Sequence, residues 1–304
     1  MKKTNIYFDE TEDIIDIRYD NVFKAVFTRG TPASQRALSR LISALICRDI
    51  IVITINVNEP AIDNIRDRQI RFDIHCRAKT GELINVEMSL NPDPFELIRL
   101  EFYAGKLFTG QDIKGKSKSY DDLKLTYQIA ILAKERFFKD EKFLHSFEYY
   151  DAVNGVSLNG KSRIITLELS KLEEIVEKST DEMNAQEYWA VFFRYLTDTS
   201  KRHKINKIIE LEEGIAMASK VLKSISKDEI ERARLMSEYK YELDLQSKLV
   251  TAKRKGKEEG KKEGMKEGIQ KGIQKGKKEG EQKIIDLLKS GKSPEEILKD
   301  YGVD

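Results

Sequence analysis

Cysteine is nearly absent from this chain: Cys47 and Cys76 are its two representatives, and no CxxC pair occurs. That excludes a structural zinc site, which is built from closely spaced cysteine and histidine pairs. Two lone thiols fit a reducing compartment. Long apolar runs are also missing, and nothing approaches the eighteen or so residues that a membrane helix needs. The first residues, MKKTNIYFDETED, carry two lysines but no apolar stretch behind them, so a secretory signal is not expected. A soluble cytoplasmic protein is the expectation, with no membrane partner. An excess of charge of one sign is lacking too: the formal net charge is +2, which by itself says nothing about nucleic acid.

What the chain does have is charge in quantity. Charged residues make up 35% of the 304, against the usual quarter, so some segment must be charge-dense. Residues 251–283 hold twelve lysines or arginines against six glutamates, a local +6 that leaves the remainder at −4. The basic charge is therefore late in the chain and the rest is slightly acidic. With 40% hydrophobic residues, the length allows one large or two ordinary domains with a proper core.

The apolar spacing gives an order of elements. Tyr19, Val22, Phe23, Val26 and Phe27 form the one-sided pattern of a short helix with Asp20 near its start. Residues 33–47 read as a second helix, and the β-branched run 49–57 as a strand, followed by a loop over 58–67. Ile70, Phe72, Ile74 and Cys76 alternate with Arg71, Asp73, His75 and Arg77, which is the period of a half-buried strand. After a turn at 79–82, residues 83–90 supply its hairpin partner. Residues 95–108 read as a helix with Leu97, Ile98, Phe102 and Tyr103 inward. The continuous apolar run 125–133 suits a strand buried on both faces. Residues 137–151 are aromatic-rich and ambiguous, 163–169 form another strand, and 171–249 are helical almost throughout. Helices between strands imply a mixed α/β sheet.

Seven glycines fall four apart, from Gly256 to Gly280. Their flanks are charged, so membrane helix packing is excluded. On a helix of 3.6 residues per turn, successive glycines rotate by roughly 40° and trace a winding groove. Each weakens an isolated helix by about 1 kcal/mol relative to alanine. A solvated basic linker, a self-associating helix of coiled-coil type and a phosphate-backbone contact all remain open. Beyond it, residues 281–302 read as a small helical hairpin, with Ser293 capping and Pro294 in the first turn.

Chemistry points to Asp73 and Glu87. A hairpin of this length can bring the two carboxylates side by side, and two carboxylates with water and phosphate oxygens are what Mg²⁺ prefers. Such an ion polarises a phosphodiester and lowers the pKa of an attacking water. The competing reading is two acids facing solvent on an open sheet. Glu87, however, sits among Leu83, Ile84, Val86, Met88 and Leu90, and a carboxylate in so apolar a strand needs a partner or a metal. Asp20 can add an acidic group from outside the hairpin. His75 is expected on the opposite face in a structural role, and His145 and His203 have no evident partners.

The ordered set of pieces resembles the PD-(D/E)XK nuclease superfamily, and more narrowly the Rpn-type recombination-promoting nucleases, or PD-(D/E)XK family transposases. The pieces are Asp20-Asn21-Val22-Phe23-Lys24-Ala25-Val26-Phe27, then Arg71-Phe72-Asp73, then Gly81 through Glu87-Met88. Arg99 with Tyr103, Gly110, Tyr120, the run Leu167-Glu168-Leu169-Ser170-Lys171 and the glycine tail complete it. The resemblance covers most of the chain. It implies a restriction-endonuclease-like mixed sheet flanked by helices over residues 1–170, a helical region over 171–250, the basic glycine helix or linker over 251–283 and a terminal mini-helix over 284–304. It further implies Asp73 and Glu87 as ligands of Mg²⁺, with Mn²⁺ as a substitute, Asp20 as an accessory ligand, and DNA as partner.

One position departs from the family. Its strand usually reads Glu-x-Gln, with Gln where other superfamily members carry Lys; here the third residue is Ser89. Serine holds no charge and reaches less far. Lys24 and Lys106 are candidates to fill the gap or to contact phosphate, and Arg99 either contacts phosphate or pairs with Glu96. Three functions follow: a Mg²⁺-dependent DNA endonuclease linked to recombination or mobile elements; a catalytically silent relative that binds DNA or protein; and an assembly protein that forms homo-oligomers through residues 251–304. Ser89 favours the second, and the slightly acidic globular part mildly favours the last two.

Overall fold

The computed structural model describes residues 7–56, 72–92, 94–113 and 118–301. The expected loop over 58–67, with Ile70 and Arg71, lies outside the described residues. The chain divides into two compact units, residues 1–239 and 240–304.

The first unit begins with α1 (Asp20–Phe27) and α2 (Pro32–Ile46). Both form for local reasons. Val22, Phe23, Val26 and Phe27 recur at helical spacing and are all buried. Thr31 caps α2 by accepting from the Ser34 amide, Pro32 stands in its first turn, and Cys47 ends it in the left-handed region at φ 56°. Then come β1 (Val52–Asn56), β2 (Ile74–Ala78), β3 (Leu83–Ser89), α3 (Glu96–Thr109), β4 (Thr126–Leu132), β5 (Leu144–Phe147) and β6 (Ser162–Glu168). The strands make one six-stranded sheet in the order β1-β2-β3-β4-β6-β5. β1, β2 and β3 are antiparallel, β3, β4 and β6 run parallel, and β5 returns antiparallel along the edge beside β6. Gly81, at φ +101°, supports the turn between β2 and β3. The parallel step from β3 to β4 requires a crossover, and α3 supplies it.

The two faces of the sheet differ in chemistry. Ile74, Ile84, Val86, Ile129, Ile131, Ile165 and Leu167 point into the main core, which they share with α1, α2 and the later helices α4 (Ala185–Tyr195), α5 (Arg202–Leu211) and α6 (Glu213–Lys227). Phe23, Phe27, Trp189, Phe192 and Phe193 form its aromatic centre, and Trp189 lies 6.0 Å from Phe27. Alternate residues of the central strands face the other way, and among them Asn85, Glu87, Gln128, Thr166 and Glu168 are all buried polar groups. A small apolar cluster of Leu100, Ala130 and Leu132 fixes α3 over that second face. Every residue of β4 is buried, as its unbroken apolar run requires.

On α3 the inward residues are Leu100, Ala104 and Leu107, whereas Ile98 is 64% exposed and Phe102 49%. The expectation of Ile98 and Phe102 inward is corrected: α3 carries apolar residues round most of its circumference, and only the position of the sheet chooses between two apolar stripes.

The long helix α7 (Glu229–Lys289) includes all seven repeat glycines. Ser293 then caps α8 (Pro294–Asp300) with a full capping box to Glu296, and Pro294 stands in the first turn. No described helix is long and apolar enough to cross a membrane.

Candidate active site

The hairpin register places the two acids. Ile74 pairs with Val86 and His75 with Asn85, so the residue before β2, Asp73, stands across from Glu87. Asp73 is half-buried and Glu87 only 2% exposed. The Met88 amide donates to Asp73 Oδ2 at 3.2 Å. Asn85 Nδ2 donates to Glu87 Oε1 and to Gln128 Oε1, both at 2.9 Å. Gln128 pairs with Asn85 across the parallel β3–β4 ladder, so these two amides and Glu87 form one buried polar row.

Helices bring the cations and further acids. In α1, Lys24 Nζ lies 2.7 Å from Asp20 Oδ2, one turn back, and 3.0 Å from Asp73 Oδ1. In α3, Arg99 Nη2 lies 2.5 Å from Glu96 Oε1 and 3.6 Å from Glu87 Oε2. Arg99 is thus paired with Glu96, and it stands over Glu87 as well. Its guanidinium also sits 5.4 Å from the Tyr103 ring, and Tyr103 packs edge-on to Phe72.

The electrostatics are those of carboxylates short of solvation. Burial first, then the nearby Asp20 charge, pushes Asp73 well above the usual carboxylate range, against the pull of Lys24 and the Met88 amide. Burial and the Asp73 charge push Glu87 up in the same way, against Arg99 and the Asn85 amide. Burial works to lower the Lys24 pKa, but Asp73 and Asp20 together reverse it, so the ammonium holds its proton firmly. Glu87 Oε2 and Asp20 Oδ1 are buried with no hydrogen-bond donor among the described residues.

Those orphaned oxygens test the fit of a cation. Hard carboxylate oxygens, desolvated and partly unpartnered, suit a divalent ion that takes one or two protein carboxylates and completes its shell with water and substrate oxygens. Among the described residues no three His, Cys, Asp or Glu side chains close into a cage of their own. Asp73 and Glu87 are the pair that fits, and the Lys24 ammonium bridges Asp73 to Asp20.

The remaining sequence candidates lie apart or differ from expectation. Ser89 is half-buried at the end of β3, on the same face as Glu87 and paired in register with Leu132. Lys106 is exposed on α3, its ammonium 5.8 Å from the Phe102 ring, and makes no ion pair with this cluster. His75 is corrected: it pairs with Asn85 and so shares the face of Asp73 and Glu87, because residues two apart on a strand point the same way. Burial and Arg77 lower its pKa, and its Nε2 has no hydrogen-bond partner among the described residues. His145 is corrected also, for it contacts both Asp140 oxygens at 3.0 and 3.1 Å. The Arg99–Glu96 pair was one of the two alternatives that the sequence offered, whereas the roles of Asn85 and Gln128 were not legible there. The one signal for these two was an amide at an inward position of a strand otherwise apolar.

Comparison with known proteins identifies a family. The family model for PD-(D/E)XK nuclease family transposases matches residues 17–252. That span contains α1, the sheet, α3 and the helical region, and with them every residue of the cluster. Neither the curated proteins nor the solved structures contain a significant match. A mixed six-stranded sheet with flanking helices is consistent with the restriction-endonuclease-like fold. The chain belongs to the PD-(D/E)XK nuclease family transposases.

Proposed function

We propose that this protein is a Mg²⁺-dependent DNA endonuclease associated with recombination or transposable elements. The observation that carries the reading is the pairing of Asp73 with Glu87 across the hairpin, both desolvated, with Glu87 Oε2 lacking a donor. When bound, Mg²⁺ or Mn²⁺ would polarise the phosphodiester and lower the pKa of an attacking water. Asp73 and Glu87 would hold the ion and Asp20 would assist. The Met88 amide fixes Asp73, and Asn85 fixes Glu87, so both carboxylates are oriented before any ligand arrives. Lys24 supplies the positive charge that the strand lacks at Ser89, from α1 rather than from β3. Arg99 is placed to meet a phosphate oxygen beside Glu87.

A second reading has its own support. Ser89 replaces the longer polar side chain, and Lys24 occupies the place between Asp20 and Asp73 that a cation would take. On that reading the chain binds DNA or protein without cutting. Self-association through residues 251–304 is compatible with either reading, since a Cβ added at any of the seven repeat glycines would meet nothing within 4 Å.

Plasmid nicking in Mg²⁺, with Asp73→Ala as the control, separates the readings. Nicking by the wild type that is lost in the variant supports hydrolysis. DNA retention with no nicking in Mg²⁺ or Mn²⁺ means that the silent reading holds.

A further inference from the structure

On the far side of α3 from Arg99 the second sheet face carries a cavity of about 270 Å³. Its walls are Leu97 and Ala104 of α3 and the rings of Phe138, Phe147 and Tyr149. Its floor includes the Thr166 side chain, which is fully buried and whose hydroxyl has no hydrogen-bond partner among the described residues. Glu101 stands on the wall, exposed and in no ion pair among the described residues. Glu148 also borders the cavity, but its carboxylate is bound to Arg163.

The volume lies just below the range of about 300–1,000 Å³ that takes drug-sized ligands, so a single planar ring system is the size that fits. The lining chooses its chemistry. Three aromatic rings offer faces and edges to a π-system. The Thr166 hydroxyl can donate or accept at one end, and a carboxylate at the other accepts from an amino group. A carboxylate accepting from the exocyclic amine of cytosine is a pairing already used in base readout.

Position ties the cavity to the cluster. Glu87 pairs with Ala130, and Ala130 pairs with Thr166, so the three lie in one row across parallel strands. Two interstrand steps of ~4.8 Å put Thr166 about 10 Å from Glu87 at the backbone. That is about three steps of ~3.4 Å along one strand of a duplex. Between them runs the outer edge of α3, where Ile98 and Phe102 expose apolar surface.

We propose that this cavity holds one unstacked nucleobase bearing an exocyclic amino group, taken from the DNA strand whose phosphodiester lies at Asp73 and Glu87. The proposal rests on the DNA reading above and extends it to base preference. Stacking on the rings offsets the loss of stacking in the strand, and Glu101 selects a base that donates over one that does not.

The test is equilibrium binding of the full chain in EDTA, so that cleavage cannot intervene. Probes are fluorescent single strands of oligo-dC, oligo-dT and an abasic strand of equal length, with free cytidine as a separate arm. We expect oligo-dC to bind at least about ten-fold more tightly than the abasic strand, the scale of one stacked base. Ala104→Phe, which fills the cavity, should remove that difference, and Glu101→Gln should narrow the preference for dC over dT. Thr166→Val keeps the side-chain shape and serves if Ala104→Phe does not fold; it should weaken dC binding several-fold. Equal affinity for dC and abasic strands overturns the proposal, as does an unchanged preference in both cavity variants. If plasmid is nicked but bases are not distinguished, the cavity proposal alone fails. Cytidine bound by the wild type and not by Ala104→Phe or Thr166→Val, without DNA affinity, keeps the base site and defeats the DNA reading. No binding by any probe overturns both.

Discussion

Glu87→Gln should make this protein more stable at alkaline pH, and the reason is its burial. The side chain is 3% exposed, and its pKa is pushed up to about 8, first by desolvation and then by Asp73. In the unfolded chain the same group titrates near ~4.3. A folded-state pKa raised above the unfolded one means that the folded protein binds the proton more tightly. That contribution is complete below about pH 4 and is lost as pH rises towards 8, where the buried group must ionise. At about 1.4 kcal/mol per unit, the full span is at most about 5 kcal/mol. Glu87 and Asp73 titrate together, and Arg99 loses a partner on substitution, so the part recovered by one change is on the order of 2 kcal/mol. For a unit of this size that is a rise in Tm of roughly 4–8 °C. Calorimetric melts in EDTA at pH 5 and pH 8.5 measure it. The variant should melt with the wild type at pH 5 and above it at pH 8.5. A variant less stable by the same amount at both values would refute the reasoning, because the carboxylate would then be contributing favourable contacts rather than a desolvation penalty.

A divalent cation should act on the same penalty from the other side. At pH 8, Mg²⁺ at a hundred times its Kd should stabilise the wild type by about 2.7 kcal/mol and leave Glu87→Gln almost unmoved, as read in the same calorimeter. The gain should shrink towards pH 5, where protons hold both raised carboxyls. Ser89→Gln should raise any Mg²⁺-dependent nicking rate, measured on plasmid, if the short hydroxyl is what limits the site. In the second unit, Gly264→Ala with Gly268→Ala should increase helix content by circular dichroism, since each removes about 1 kcal/mol of helix cost. If the glycine groove seats a partner helix, the same pair should abolish self-association in analytical ultracentrifugation; unchanged association would exclude that groove as the interface.

What could be read from the residues alone was local. Alternation around Asp73 and the turn at Gly81 predict the hairpin, and a hairpin of that length brings Asp73 opposite Glu87 by register. The apolar run 125–133 declares a doubly buried strand, and Ser293-Pro294 a helix start, because periodicity and capping are properties of neighbours in sequence. The glycine tail was ambiguous between linker and helix, and it is helical throughout.

Tertiary structure decided what no local pattern contains. Lys24 meets Asp73 only because α1 packs against the end of the hairpin, and Arg99 reaches Glu87 only because α3 crosses the sheet on the other face. Gln128 joins Asn85 because β4 lies parallel to β3, a pairing that a separation of 43 residues leaves invisible until the crossover is built. The same crossover chose which apolar stripe of α3 faces in, leaving Ile98 and Phe102 outside and a cavity behind them. The sequence by itself determined which carboxylates share a strand pair, since that depends on period and turn. Their charges, partners and degree of burial were set by distant segments, because desolvation and ion pairing depend on what the whole fold brings within a few ångströms.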